Sequence, residues 1–350
     1  MEQPWPAGSA LPGSILDCNA AIKLALTGPN ALPALWAIRQ ALPRAELHCI
    51  ANARWSSLLR IAPWIDRVWD YHERPKAIQA SDLALARLIR RERFDACINL
   101  MGSNRSCIIS RLSGARYRLG RKPFEEHRPA WRRFNTDVME YPYRGEPRYL
   151  QKWRCLQQAG IACAAPHFEI ELRSVTPPAD PGEEHRATYL HISPYASAGQ
   201  KELPPQQMAD LLVALHAGLP QFRLVVSSSC CPREIAALEA LLMLLPFKPW
   251  RVYAGTLDAA QLFRVIDGAV LHLGPDTGSL HLAWVAGTAA VCWSAGNLRE
   301  WVPRGSAGTY PGQRRKAGGL SARHRHRGHP GGGEAPDRGD RPRHGKARIA

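Results

Sequence analysis

The sequence has no run of about 18 apolar residues, the length that a membrane-spanning helix needs. Residues 1–15 have neither a basic start nor a long apolar stretch, so we expect no signal peptide. The nine cysteines include no Cys-x-x-Cys pair, which argues against a disulfide framework and against a structural zinc site. These absences predict a cytoplasmic protein that has free cysteines and binds no metal.

The positive charge is unevenly distributed along the chain. The formal net charge is +16. Residues 1–150 carry 23 basic and 14 acidic side chains, residues 308–350 carry 11 and 3, and residues 151–307 carry 12 and 13. The isoelectric point of about 9.8 raises nucleic-acid binding as a hypothesis. No nucleic-acid-binding signature accompanies the charge, and half of it lies in the tail, so we expect no nucleic-acid partner.

Short apolar runs alternate with amphipathic runs in the first half of the chain. They predict three strands and three helices, at residues 21–26, 46–50 and 95–100 and at 31–41, 81–93 and 105–112. Strands that alternate with helices indicate β-α-β units and a parallel sheet. Residues 120–149 interrupt this pattern, and we expect a loop there with little regular structure.

A second alternating series follows residues 174–186, whose three prolines and one glycine indicate a linker. Strands are expected in five short runs, at residues 188–192, 223–227, 250–253, 269–273 and 289–293. The sequence therefore predicts an α/β protein with a loose leader (1–14), a first domain (15–173) and a second domain (187–307). Residues 308–350 have almost no large apolar side chain, and we expect a disordered basic tail.

One motif of the second domain lies where a predicted strand meets a helix. Residues 274–281 read Gly-Pro-Asp-Thr-Gly-Ser-Leu-His. The first N–H groups of a helix have no internal partners and suit an anion, and Gly278 allows close approach. Thr277 and His281 can reach a phosphate, while Asp276 can accept a hydrogen bond from a ribose hydroxyl. The alternative is an ordinary helix cap with a structural histidine.

A second motif strengthens the phosphate interpretation. Ser193 follows the strand predicted at 188–192, and Lys201 precedes the next helix. A hydroxyl and a lysine in this arrangement can hold a diphosphate, although Lys201 could also be a solvated loop residue.

Together these blocks resemble glycosyltransferase family 9, the bacterial ADP-heptose:lipopolysaccharide heptosyltransferases and their relatives. The similarity rests on the two motifs and on three further segments, at residues 33–43, 286–291 and 301–303. The resemblance implies a GT-B architecture with two Rossmann-like domains facing a cleft. It also implies a nucleotide-sugar donor, an anionic lipopolysaccharide or lipid-linked acceptor, and no cofactor or metal. Its diphosphate-binding positions map onto six residues, Ser193, Lys201, Asp276, Thr277, Gly278 and the nearby His281. Glu234 is the candidate for a contact near the nucleoside.

The resemblance also implies a catalytic aspartate after the first strand, to take the proton of the acceptor hydroxyl. Alignment on Pro33 places Thr27 at that position, whereas alignment on Gly28 leads to Asn30. Neither is a carboxylate, so a relative that binds the donor without efficient turnover is the alternative function. The basic, aromatic segment 116–143 suits an anionic acceptor and peripheral association with the inner membrane.

Overall fold

The computed structural model describes residues 22–26, 31–72, 80–101, 104–121, 133–139, 146–161, 172, 188–294 and 348–349. The strands are β1 (Ile22–Leu26), β2 (Leu47–Asn52), β3 (Arg67–Tyr71), β4 (Ala96–Asn99), β5 (Tyr117–Arg121), β6 (Asp137–Met139), β7 (Tyr189–Ile192), β8 (Arg223–Ser228), β9 (Arg251–Ala254), β10 (Leu271–Pro275), β11 (Ala289–Ser294) and β12 (Arg348–Ile349). The helices are α1 (Leu32–Ala41), α2 (Ala53–Arg60), α3 (Ala80–Arg91), α4 (Asn104–Leu112), α5 (Arg148–Gln158), α6 (Pro205–Gly218), α7 (Pro232–Met243), α8 (Ala259–Gly268) and α9 (Gly278–Val285). The expected leader, the expected linker, Thr27 and Asn30 lie outside the described residues.

The first sheet is parallel and has the strand order β3-β2-β1-β4-β5-β6. Alternate side chains of β2 point to opposite faces, as they must in a strand. Leu47 and Cys49 join a core with α1, α2 and α5, while Ile50 contacts Ile89 of α3 and Ile109 of α4. Helices therefore cover both faces, which is the usual environment of a parallel sheet.

The second sheet has the order β12-β11-β10-β7-β8-β9. Five of its strands are parallel, and β12 pairs antiparallel with β11 at one edge. Helices α6 and α7 supply Met208, Leu212 and Leu238 to a core on one face. Helices α8 and α9 cover the opposite face of this sheet, which is the face turned towards the first sheet.

One apolar core joins the two halves of the molecule. It unites side chains of α1, α2 and α5 with Phe263 and Ile266 of α8 and Trp284 of α9. The Tyr149 and Trp284 rings lie 4.3 Å apart between centroids, and the N–H of Ala260 donates to Ser57 Oγ at 3.2 Å. Because α9 packs against both its own sheet and α5, every residue from Ser279 to Val285 is buried.

The structure confirms the α/β class and the alternating elements, and it corrects the expectations in places. Helix α2 and strands β3 and β5 were not expected from the sequence. Strand β6 lies inside the segment 120–149, where the sequence predicted little regular structure. That segment is not all loop because its Asp137–Met139 stretch extends the sheet beside β5. In the tail, Arg348–Ile349 pairs with β11, since an edge strand offers free hydrogen-bonding groups to any extended segment. Among the described residues, no helix is long and apolar enough to cross a membrane.

Candidate functional site

The two motifs of the second domain meet between β7 and β10, where the order in which successive strands are added to the sheet changes side. Strands β7 and β10 are parallel neighbours, and the N–H of Ser193 donates to the carbonyl of Leu273 at 2.9 Å. The loops that leave these strands therefore emerge side by side at the carboxyl edge. Sheets of this type bind their ligands at such a switch point. A Cβ at Gly274 would lie 2.9 Å from the Ser193 carbonyl oxygen, so the close approach of the strands requires glycine there.

Lys201 and Asp276 form the charged centre of the site. The Lys201 Nζ lies 2.6 Å from Asp276 Oδ1, although 75 residues separate them in sequence. The Asp276 side chain is 1% exposed and that of Lys201 is 26% exposed. A buried carboxylate is stable only beside a compensating cation, and this lysine supplies it. The lysine is the partner that reaches solvent, so it can also meet an incoming anion.

The start of α9 lies directly after this pair. Thr277 is the N-cap residue, but its side chain does not cap the helix, and its hydroxyl lies 2.9 Å from the Ser279 hydroxyl. N–H groups in the first turn of a helix are oriented to receive an anion, and the helix dipole adds partial positive charge. The structure thus places Lys201, Asp276, Thr277 and Gly278 together, with Ser193 on the neighbouring strand end.

Trp55 of the first domain covers this helix start. It lies in α2, and a Cβ built on Gly278 would collide with the edge of its indole ring. Gly278 is therefore required by tertiary packing as well as by access to an anion. The sequence motif did not reveal this contact, because Trp55 and Gly278 are distant in the chain.

His281 is buried one turn inside α9. Burial, together with the positive charges of Lys152 and Lys201, lowers its pKa to about 4. Its Nδ1 has no hydrogen-bond partner among the residues that the structure describes. The contact between the Tyr149 and Trp284 rings explains the influence of Lys152. Lys152 lies three residues after Tyr149 and His281 lies three residues before Trp284, so the ring contact brings the lysine close to the histidine. His281 is consequently neutral at pH 7, and it can donate or accept a hydrogen bond without adding charge.

Glu234 lies in the first turn of α7, after β8. Its Oε2 accepts hydrogen bonds from the Ser229 hydroxyl at 2.7 Å and from the Ser229 N–H at 3.1 Å. The carboxylate thus stabilises the turn that leads into the helix. The expected contact near a nucleoside stays a prediction.

An ion pair that the motifs did not indicate holds the Lys201 loop in place. Arg233 donates to both carboxylate oxygens of Glu202, at 2.7 and 3.0 Å. Glu202 in turn accepts the N–H of Ala196 at 2.8 Å. These contacts tie the residues on both sides of the loop to the start of α7, which fixes the position of Lys201. The only sequence signal was the acidic residue next to Lys201.

A buried polar chain lies beneath the site. His191 Nδ1 is 2.9 Å from His272 Nδ1, and His191 Nε2 is 2.9 Å from Ser227 Oγ. Burial lowers the pKa of His272 to about 3 and the pKa of His191 well below its usual range. Both rings are therefore neutral, and their signal in the sequence was a histidine inside each of two apolar strands. No cluster of three or more His, Cys, Asp or Glu side chains that could hold a metal ion occurs in the described part of the chain.

Comparison with known proteins agrees with this geometry. The sequence model of "Glycosyltransferase family 9 (heptosyltransferase)" matches residues 83–292, more than half of the chain. The lipopolysaccharide core heptosyltransferase OpsX of Haemophilus influenzae (strain ATCC 51907 / DSM 11121 / KW20 / Rd) is 24% identical over 252 residues. That match covers 71% of this chain and 70% of OpsX.

Two solved structures share the fold. A family 9 glycosyl transferase from Veillonella parvula DSM 2008 has a TM-score of 0.66 at 16% identity, covering 81% of this chain and 85% of its own. The E. coli heptosyltransferase WaaC with ADP has a TM-score of 0.63 at 15% identity, covering 83% and 90%. These likenesses confirm the expected GT-B arrangement of two Rossmann-like sheets.

Proposed function

Because the chain belongs to glycosyltransferase family 9, we propose that it transfers a heptose or a related sugar from an ADP-linked donor to a lipopolysaccharide-core or other lipid-linked acceptor. The observation that carries this proposal is the Lys201–Asp276 pair at the start of α9. Support for the substrates comes from the relatives, since OpsX is named a lipopolysaccharide core heptosyltransferase and WaaC was solved with ADP.

Lys201 and the first N–H groups of α9 would bind the donor diphosphate. Negative charge grows on the diphosphate as the bond between its oxygen and the sugar breaks. A lysine and a helix N-terminus that are already in position stabilise that charge without reorganising. Asp276 lies 2.6 Å from Lys201, so contacts within the protein itself fix the position of the lysine. Thr277 and Ser193 would add hydroxyl donors to the same oxygens.

The acceptor would bind at the carboxyl edge of the first sheet. Strands β1 and β4 are parallel neighbours there, and the order of strand addition changes side between them as it does between β7 and β10. In an inverting transfer the acceptor hydroxyl attacks the anomeric carbon from the face opposite the departing diphosphate and loses its proton to a base. The candidate positions Thr27 and Asn30 lie outside the described residues, so the base is not assigned. A lipid-linked acceptor would also place the protein at the inner membrane surface as a peripheral protein.

Titration calorimetry with ADP, UDP and GDP tests the donor site. We expect ADP to bind, and we expect Lys201→Met to weaken binding about 10-fold to 100-fold, because a hydrogen bond to a charged group contributes about 1.5–3 kcal/mol. Lys248→Met removes an exposed lysine of the same domain and serves as the matched control. Failure of all three nucleotides to bind would sink the proposal.

Release of ADP in the presence of ADP-heptose and a lipopolysaccharide-core acceptor separates the two candidate functions. Turnover that Lys201→Met abolishes and Lys248→Met leaves unchanged supports the transferase. Donor binding without acceptor-dependent ADP release supports the catalytically impaired relative. Membership of a transferase family favours the first outcome.

A further inference from the structure

The outward face of α3 combines two exposed leucines with three arginines. Leu83 is 41% exposed and Leu88 is 46% exposed. Arg87, Arg90 and Arg91 are also exposed. Helical geometry places all five side chains on one side, while Ala86 and Ile89 on the opposite side are buried. Around the helix, Arg87 and Arg91 lie between the two leucines, so basic and apolar side chains are interleaved on one exposed face. Such a face can contact the charged headgroups and the apolar boundary of a membrane interface together.

More arginines surround this face than nearby acidic residues can neutralise. Residues 80–121 contain nine arginines and three acidic side chains, a net charge of +6. Asp82 is buried against Arg105 at 2.7 Å, and Glu92 pairs with Arg67 at 3.1 Å. Within the part of the chain that the structure describes, Arg87, Arg90 and Arg91 pair with no carboxylate. Their charge is therefore available to an outside partner.

The ends of α3 and α4 form one continuous basic surface. The Arg90 guanidinium lies across Gly114 at the end of α4, where an added Cβ would be 3.2 Å from its Nη1. Arg111 and Arg116 are exposed on either side of that glycine. Burial and the nearby charge of Arg111 lower the pKa of Arg118, so positive groups crowd each other here. A polyanionic surface would relieve this repulsion.

The α3 face points away from the second domain. Helices α3 and α4 cover the face of the first sheet opposite to α1, α2 and α5, as the separate cluster of Ile50, Ile89 and Ile109 shows. Contacts with the second domain instead come from α2, through Ser57, and from α5, through Tyr149. A partner on α3 would thus leave the donor site and the interdomain core untouched.

We propose that the outward face of α3, with the arginines at the end of α4, docks on a bilayer of anionic lipid. This inference rests on the proposed function, because a lipid-linked acceptor requires the enzyme to work at a membrane surface. The arginines match the charge of anionic headgroups, and the leucines enter the acyl boundary while the arginine stems lie along it. A nucleic acid would use the arginines alone, which makes the leucines the discriminating residues.

Co-sedimentation with phosphatidylglycerol–phosphatidylethanolamine vesicles, compared with neutral phosphatidylcholine vesicles, tests the proposal on the full chain. Neutralising three arginines in Arg87→Gln/Arg90→Gln/Arg91→Gln should lower the partition coefficient on the order of 100-fold, about fivefold for each residue. Leu83→Ser/Leu88→Ser should lower it about tenfold. Met243→Ser/Leu244→Ser removes an exposed apolar pair of the second domain, at 86% and 46% exposure, and should leave binding unchanged.

The outcomes separate this surface from the donor site. All variants should bind ADP in solution as the unmodified chain does, which also shows that they fold. Vesicle binding that is equal for neutral and anionic lipid, or insensitive to the arginines, overturns the proposal. Loss with the arginine variant but not with the leucine variant shows a purely electrostatic contact in which the leucines do not enter the bilayer, and overturns the proposal as well. A chain that binds anionic vesicles through α3 but no nucleotide refutes the proposed function and leaves the surface assignment standing.

Discussion

Gly278 shows how a single residue can serve packing and binding together. It begins the helix that would receive the donor diphosphate, and the Trp55 ring occupies the space in which any larger side chain would lie. The need for space beside the Trp55 ring does not imply anion binding, and anion binding does not imply the Trp55 contact. The motif indicated the binding role, and only the folded chain revealed the packing role.

Gly278→Ala should lower stability by about 1–3 kcal/mol, because the added methyl group must displace the Trp55 ring. Thermal unfolding measures the effect, and Gly278→Ala/Trp55→Leu should recover part of the loss. Gly199→Ala is the matched control, since nothing lies within 4 Å of a Cβ built there. Equal melting temperatures for the two single variants would contradict the contact.

Three buried histidines predict a loss of stability in mild acid. Burial lowers the pKa of His281 to about 4 and of His272 to about 3, and it lowers the pKa of His191 well below the usual range. Below about pH 6.5 the unfolded chain binds protons that the folded chain cannot, so each group reduces stability by up to about 1.4 kcal/mol per pH unit. The loss begins near pH 6.5 and ends only near the folded pKa values.

Denaturant unfolding between pH 7 and pH 5 checks this slope. His281→Asn should make the decline of stability with falling pH shallower, because one of the three groups no longer titrates. A His281→Asn slope identical to that of the unmodified chain would show that this side chain is not held neutral by burial.

At the scale of elements, the loop that carries Lys201 depends on a neighbouring helix. Arg233→Met removes the hydrogen bonds to Glu202 that tie this loop to α7. Because Arg233 is exposed, we expect little change in melting temperature but a few-fold weaker binding of ADP, as Lys201 becomes less well positioned. Calorimetry measures the affinity. Arg264→Met, which breaks the surface pair with Asp267, is the control, and equal affinities would refute the role of the loop anchor.

The elements that the sequence predicted well are those with strong apolar periodicity. Every expected strand of the second sheet has a counterpart within one or two residues, since apolar runs and helix-starting prolines mark them. Strand β3, Arg-Val-Trp-Asp-Tyr, was missed because it lies at a sheet edge and none of its residues is fully buried. Strand β5 is arginine-rich and was obscured by its charge. The sequence could assign Lys201 and Asp276 to one site because each residue lies in a local motif. The roles of Trp55 and Arg233 could not be predicted, because both act through tertiary contacts.

At the scale of the whole molecule, one apolar core couples both sheets. Trp284 is 2% exposed at its centre and contacts Tyr149 across the domain boundary. Trp284→Ala should destabilise the protein by about 3–5 kcal/mol and weaken the coupling, so that thermal unfolding separates into two transitions. Differential scanning calorimetry reports both effects.

Phe247→Ala is the control, because this second-domain ring stacks on His216 away from the shared core. It should lower the melting temperature within a single transition. A single transition in Trp284→Ala would show that the domains are coupled elsewhere.

The position of Trp55 also has an optical consequence. Its indole lies against the helix start that would receive the donor, although it belongs to the other domain. An anion that enters beside this ring changes the polarity around it, so the intensity and wavelength of its emission should report donor occupancy directly. The ten other tryptophans contribute a background that Trp55→Phe would isolate. The chain therefore carries its own fluorescent reporter, which can follow donor arrival in a stopped-flow instrument without a label.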